Sequence, residues 1–169
     1  MDTQRVETTG QTLQTALRAA LLPGAVACAT SAAALAVCSQ IESGHAAAAL
    51  NGPSQWLWGE AEAYTRRATM RHTAVGSAIH FFTSVMWATA HELAFGRTDP
   101  ATKSAPRICA EAAVTAATGY IVDYHLTPRR FQPGFEKHLG GLSMFATYAA
   151  FGAGLAAVAL ARRRSRAPF

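Results

Sequence analysis

Residues Ala19–Ile41 read AALLPGAVACATSAAALAVCSQI, a long run without a charged side chain. A second uncharged run of equal length extends from Leu139 to Ala161. An α-helix needs about 20 predominantly apolar residues to cross the hydrocarbon core of a bilayer. A helix of a soluble protein must present one face to water, so it rarely stays uncharged over such a length. The two runs therefore predict two membrane-spanning helices.

Two weaker runs predict two further spans. Thr73–Ala90 is a shorter run without Asp, Glu, Lys or Arg and contains His80, whereas Ile108–Val122 contains Glu111. Together the four runs predict an all-α fold, an integral membrane four-helix bundle that forms a single domain over 1–169. The predicted spans are about 17–41, 73–95, 106–126 and 138–161, with a polar tail at 1–15 and a basic tail at 162–169.

The composition agrees with a membrane protein but leaves one alternative open. Half of the 169 residues are hydrophobic and only 15% are charged, against about 25% charged residues in an average soluble domain. The mean hydropathy is nevertheless only +0.11, because much of the hydrophobic share is alanine, which is barely apolar. A disordered chain is excluded, whereas a soluble alanine-rich bundle is not. No basic patch with interleaved aromatic residues points to nucleic acid, so the predicted partner is the lipid bilayer.

The distribution of lysine and arginine residues between the two sides of the membrane predicts the orientation of the four spans. Both tails and the second connector would share one side and carry nine of the 15 lysines and arginines, and the other side would carry six. Cytoplasmic loops carry the excess of positive charge in membrane proteins. Both termini are therefore predicted to be cytoplasmic, with the basic run Arg162–Arg166 as the strongest anchor.

Small residues recur at every fourth position in the first and fourth predicted spans. Such spacing lets helices approach closely in lipid, within one bundle or between two chains. It predicts tight internal packing or pairing with a second copy or another membrane protein, and the sequence does not distinguish these outcomes. The small residues are Gly24, Cys28, Ala32 and Ala36, and Ala149, Ala153, Ala157 and Ala161.

His80 and Glu111 are ionisable residues inside predicted spans. Such residues are costly in a bilayer and usually face the interior of the bundle or a cavity. His80 has three interpretations: a neutral histidine held by an interhelical hydrogen bond, a metal or haem ligand, or a proton relay acting with Glu111. Glu111 is also placed to pair with Arg107, one helical turn earlier.

The sequence of the first connector predicts a short helix at the membrane interface. Asn51-Gly-Pro is a turn signal, and Ser54 is suited to cap the helix that follows. Trp56 and Trp58 are typical of the interface, where amphipathic rings settle. A second interpretation is a lid that covers a site on the same side of the membrane.

The segment 123–138 is the densest polar run of the chain. Asp123, Glu136, Arg129 and Arg130 predict a buried ion-pair network, which is tolerable only when the charges are paired. Asp123, Glu136, His125 and His80 are also candidate ligands of a metal site, because these residue types bind divalent metals. The predicted polar cap comprises Trp56, Trp58, His72, Asp123, Arg129 and Glu136.

Three blocks, Asn51–Gly59, Arg71–Glu92 and Asp123–Glu136, resemble those of small, uncharacterised inner-membrane proteins of proteobacteria. The stretch from His80 to Val85 is loosely similar to YagU-like membrane proteins. The resemblance implies the inner membrane of a bacterium, and it brings no activity, cofactor or catalytic residue.

These observations predict a structural or accessory membrane protein, with no cofactor and no catalytic residue assigned. No phosphate-binding loop, nucleophile elbow or zinc-helix motif occurs in the sequence. The alternative is a metal- or haem-binding redox or transport component that uses His80 and the polar cap around Asp123 and Glu136. A proton-coupled carrier that uses His80 and Glu111 is a third hypothesis.

Overall fold

The computed structural model describes residues 2–166, with side chains described from 12 to 165. Within this range the chain is helical and contains no strand, so the all-α prediction is confirmed. Met1 and the end of the predicted basic tail, 167–169, lie outside the described residues. The α-helices are α1 (Asp2–Ser43), α2 (Ala48–Asn51), α3 (Gln55–Trp58), α4 (Val75–Phe95), α5 (Ala105–Ile121) and α6 (Gly141–Arg166).

The four long helices lie side by side and alternate in direction. Helix α1 packs along both α4 and α6, and α6 packs along α5, whereas α4 and α5 touch over a shorter length. Arg162 near the end of α6 donates hydrogen bonds to the Ala19 carbonyl oxygen and to the Glu92 carboxylate, both at 3.0 Å. The described chain therefore begins and ends at the same end of the helices.

The helix boundaries follow the predicted spans with three differences. The predicted polar tail continues α1, which is helical from Asp2. A π-helical turn over Val122–Leu126 carries α5 to the predicted limit at 126. Helix α6 begins at Gly141 rather than at 138, because Phe135–Lys137 form a separate 3₁₀ turn, and it continues to Arg166, so the first part of the predicted basic tail is helical.

Two helical segments among the described residues are long and apolar enough to cross a membrane. They are Thr12–Ser43, with a mean hydropathy of 1.9, and Gly141–Ser165, with 1.7. They cover nearly all of the two long uncharged runs. Helices α4 and α5 are shorter than α1 and α6. They also carry ionisable residues within their length, His80 and His91 in α4 and Glu111 in α5.

Small residues fill the centre of the structure, and large apolar residues cover its outside. One core cluster holds six alanines together with Ile108, Phe151 and Leu155. In contrast, each long helix exposes large side chains: Leu22 is 58% exposed, Phe82 68%, Val114 55% and Phe145 71%. The short side chains let the helices approach closely and leave the bulky ones on the surface.

The two predicted rows of small residues have different outcomes. Gly24 is buried where α1 crosses α4, and a Cβ there would lie 2.8 Å from the Val85 Cα. In α6 the row of alanines from Ala149 to Ala161 is exposed. For this row the interpretation as an internal packing surface is therefore wrong. Helix α6 packs against α1 through another face, on which a Cβ at Gly154 would lie 2.6 Å from the Ala27 Cα. Pairing through the exposed row stays a prediction.

Replacing Gly76 with alanine is expected to lower the free energy of unfolding by about 1–3 kcal/mol, because the added methyl group overpacks a rigid contact. Its Cβ would lie 2.1 Å from the Leu50 carbonyl oxygen, where α4 passes under α2. Gly141→Ala is the matched control, since a Cβ at Gly141 meets no atom within 4 Å among the described residues. Thermal unfolding of both variants in detergent measures the difference, and equal stabilities would contradict the prediction.

Candidate functional site

Two segments fold over one end of the long helices and form a lid, residues 44–74 and 127–140. Asn51 is fully buried at its centre. The Asn51 side-chain amide donates to the Thr65 carbonyl oxygen at 2.8 Å and to the Arg67 carbonyl oxygen at 3.0 Å. Its oxygen accepts from the Thr73 hydroxyl at 2.7 Å. One side chain thus ties the first segment of the lid to the turn that begins α4.

Hydrogen bonds to main-chain carbonyl groups join the two segments of the lid. Gln55 and Trp56 both donate to the Gln132 carbonyl oxygen, at 2.5 and 3.3 Å. His138 Nε2 donates to the Ala63 carbonyl oxygen at 2.8 Å. The predicted short helix is present as α2 and α3. However, Ser54 makes no capping hydrogen bond, and its buried Oγ has no partner among the described residues.

A cavity of about 170 Å³ lies beneath the lid, in the space where α4 and α5 diverge. Pro53, Trp56, Phe131 and Phe135 of the lid form part of its wall. The structure therefore favours the interpretation of the tryptophan loop as a cover over an interior space. The polar side chains on the wall are Ser31, His80, Thr83, Ser84, Asp123, Thr127 and Thr147, together with the Trp56, Trp87 and Tyr148 rings.

His80 is held by the interhelical hydrogen bond that was one of its three predicted roles. Its Nε2 lies 2.9 Å from the Ser31 hydroxyl on α1. That hydroxyl also lies 2.7 Å from the Ala27 carbonyl oxygen, and it donates its single proton either to that oxygen or to Nε2, according to the tautomer of the imidazole. When Nε2 carries the proton, Nδ1 is an acceptor. No described residue supplies a hydrogen bond to Nδ1.

Asp123 is bound by a tyrosine and not by arginines. The Tyr148 hydroxyl on α6 donates to the Asp123 carboxylate at 2.7 Å. Among the described residues no lysine, arginine or histidine forms an ion pair with Asp123. The predicted ion-pair network is therefore wrong. Arg130 donates to the Trp56 carbonyl oxygen at 3.4 Å, and Glu136 pairs with Lys137 at 3.5 Å.

The six residues of the predicted polar cap lie at one end of the molecule but do not form one cluster. Trp56 and Asp123 line the cavity. Trp58 lies outside it, where the Arg71 guanidinium stacks 4.8 Å from its ring centre. His72 Nε2 lies 2.9 Å from the Glu62 carboxylate. Arg129 is exposed, and Glu136 is the partner of Lys137 described above.

The four candidate metal ligands do not converge. Among the described residues no three His, Cys, Asp or Glu side chains lie close enough to share a metal ion. His125 is exposed and its ring lies 5.8 Å from that of Tyr120. The cavity is only slightly larger than the roughly 150 Å³ that holds one benzene molecule, and it is too small for a haem macrocycle. The placement of these residues does not favour the metal- or haem-binding alternative.

A second polar cluster lies at the opposite end of the long helices. The predicted pair of Glu111 with Arg107 is confirmed at 2.9 Å. Lys103, which the sequence reasoning did not single out, is the closer partner of Glu111 at 2.6 Å. His91 Nδ1 lies 2.8 Å from the Thr115 hydroxyl. These contacts join the second connector to α5 and α4.

Glu42 at the end of α1 accepts hydrogen bonds from the Ser143 hydroxyl and the Gly140 N–H group. These bonds lower the pKa of Glu42. Because the folded-state pKa is below the unfolded one, the stabilisation is full above the unfolded value and disappears as the pH falls through the folded value.

Glu42→Gln is therefore expected to cost at most about 1 kcal/mol at pH 7, since the carboxylate is exposed. The difference from the wild type should begin to shrink once the pH falls below about 4.3, the usual pKa of glutamate, and disappear below the lower folded-state pKa. Unfolding curves from pH 3 to 7 measure it, with Glu60→Gln as an exposed control. A difference that is independent of pH would contradict this role for Glu42.

Comparison with known proteins identifies no relative of this chain. No family model, no curated protein and no solved structure matches the chain.

Proposed function

We propose that the chain is a four-helix integral membrane protein of structural or accessory type. It lies in the bacterial inner membrane, with both termini in the cytoplasm. The observation that carries this proposal is the distribution of side chains, with small residues at the centre and large apolar residues on the outer faces of all four long helices. Only 28% of the most apolar window of α1 and 39% of that of α6 is buried, whereas a soluble protein rarely exposes large apolar patches.

The polar groups of α4 and α5 are used in ways that suit a lipid environment. His80 turns inward to Ser31, and Glu111 is buried against Lys103. The outward faces of these helices carry residues such as Phe82 and Val114. Polar side chains paired between helices are tolerated in a membrane, so the lower hydropathy of α4 and α5 agrees with four spans.

The lid supports a structural or accessory role. Asn51, Gln55 and His138 each donate to a main-chain carbonyl oxygen. Their polar atoms are thus used to hold loops together. In the proposed orientation the lid lies on the periplasmic surface, and Trp58 and Tyr64, both exposed, contact the membrane interface.

Single-cysteine labelling tests the membrane arrangement. In a variant with Cys28, Cys38 and Cys109 replaced by alanine, His45→Cys and Ser165→Cys add one label site at each end. An impermeant maleimide is expected to modify the cysteine at 45 in intact spheroplasts, and the cysteine at 165 only after lysis. Release of the protein by alkaline carbonate, or labelling of both positions from one side, would overturn the proposal.

The accessory role is tested separately with the purified protein alone in proteoliposomes. No pH-driven proton flux above that of empty liposomes is expected. Flux that disappears in both His80→Ala and Glu111→Gln would support the proton-coupled carrier instead.

A further inference from the structure

We propose that the cavity beneath the lid binds a small organic ammonium cation, such as one with methyl-sized substituents. The juxtaposition that carries this inference is a carboxylate without a cationic partner, that of Asp123, in a wall that also carries six aromatic side chains. This site goes beyond the membrane role proposed above and does not depend on it.

The charge of the cavity wall selects a cation. Among the described residues Asp123 is the one acidic or basic side chain on that wall, apart from the His80 imidazole. The Tyr148 hydroxyl supplies one hydrogen bond to the carboxylate, and no described lysine, arginine or histidine pairs with it. Asp123 is half-buried, and a partner of opposite charge stabilises a carboxylate that is partly withdrawn from water. A positively charged ligand in the cavity would supply that missing partner.

The aromatic residues on the wall match the same ligand class. The negative faces of aromatic rings attract ammonium groups, and quaternary ammonium ligands are commonly held in such aromatic cages. Trp87 lies against Gly119, 3.6 Å from the position a Cβ would take there. Trp56 contacts Phe131 edge to face, with ring centres 6.0 Å apart. The aromatic side chains on the wall are Trp56, Trp87, Phe131, Phe135, Tyr148 and Phe151.

The size and the hydrogen-bonding groups narrow the ligand further. A volume of about 170 Å³ suits a group of about the size of benzene, which a cavity of roughly 150 Å³ holds. His80 Nδ1 is an acceptor in the tautomer in which Nε2–H donates to Ser31. An anion would meet the Asp123 carboxylate with no positive side chain to offset it. The cavity thus offers acceptors and aromatic faces, both of which favour a cation.

Isothermal titration of the purified wild-type protein in detergent tests this proposal. The probes are tetramethylammonium chloride and choline chloride, with sodium chloride at the same ionic strength as the blank. The neutral isostere of choline, 3,3-dimethylbutan-1-ol, has the same shape without the charge. Saturable binding of both cations is expected, with the isostere bound at least about tenfold more weakly, as a desolvated cation–π contact of about 2 kcal/mol implies.

Variants with matched controls locate the site. Asp123→Asn keeps an oxygen that accepts from Tyr148 and removes the charge, so it should weaken choline binding at least about tenfold. Glu136→Gln, a carboxylate outside the cavity wall, should not. Trp87→Leu should weaken binding, whereas Trp58→Leu, which changes a ring outside the cavity, should not.

Three results would overturn the inference: no saturable binding of either cation, equal affinity for choline and its isostere, or unchanged affinity in Asp123→Asn. Equal affinity for the isostere would define the site as an apolar cavity without charge selection. The wild-type comparison of choline with its isostere decides the question even if a variant fails to fold.

Discussion

Replacing Lys103 with methionine is expected to lower the free energy of unfolding by about 3–5 kcal/mol, because it leaves a buried carboxylate without its main partner. Lys103 is 6% exposed, and its Nζ donates to the Glu111 carboxylate at 2.6 Å and to the Phe95 carbonyl oxygen at 2.8 Å. In the variant the Phe95 carbonyl oxygen also loses this donor. Denaturant unfolding of the purified protein in detergent measures the loss.

Arg107→Met is the matched control for this prediction. Arg107 contacts the same carboxylate, but its side chain is 58% exposed, so its removal should cost no more than about 1 kcal/mol. The double variant Lys103→Met/Glu111→Met removes both buried charges and should recover most of the loss. Equal losses in Lys103→Met and Arg107→Met would show that burial does not set the strength of this pair.

Asn51→Ala is expected to cost about 2–4 kcal/mol. Each of its three hydrogen bonds contributes about 1 kcal/mol, and unsatisfied buried partners add to the loss. Thermal unfolding measures the change. Because Asn51 adjoins the turn that carries Pro53 and Trp56 over the cavity, the loss should be accompanied by a change in tryptophan fluorescence.

Asn51→Asp separates the donor and acceptor roles of this side chain. The aspartate keeps an oxygen that accepts from the Thr73 hydroxyl. Its second oxygen cannot donate to the Thr65 and Arg67 carbonyl oxygens, so the variant should be as destabilised as Asn51→Ala. Gln40→Ala, which removes an exposed amide, should stay within about 0.5 kcal/mol of the wild type. An Asn51→Asp variant as stable as the wild type would contradict the prediction that the hydrogen bonds donated by Asn51 stabilise the lid.

Hydrophobic patterning and local spacing were enough to predict the helices and the contacts within one helix. The uncharged runs predicted the two most apolar helices, because helical length follows from consecutive apolar residues. The pair of Arg107 and Glu111 followed from their separation of one helical turn. The inward position of His80 followed from the cost of exposing an imidazole to lipid, although its partner on α1 could not be inferred from spacing.

The predicted ion-pair network failed because nearness in sequence does not determine the direction of side chains in a loop. Arg129 and Arg130 follow Pro128 on a 3₁₀ turn at the surface, whereas Asp123 faces Tyr148 across the boundary between α5 and α6. Similarly, Asn51 is predicted only as part of a turn, and no local pattern singles out Gln132. Their importance depends on carbonyl groups that only the folded lid brings within reach.

The sequence by itself determined that this chain is helical, where its long helices lie and which of its side chains are too polar to face an apolar surface. These properties depend on the local chain and on its pattern of apolar residues. The tertiary structure alone decided that Lys103 pairs with Glu111, that Asp123 lacks a cationic partner and that aromatic rings from the lid, α4 and α6 line one cavity. Such contacts join residues far apart in sequence, and their geometry depends on how small side chains let the helices approach.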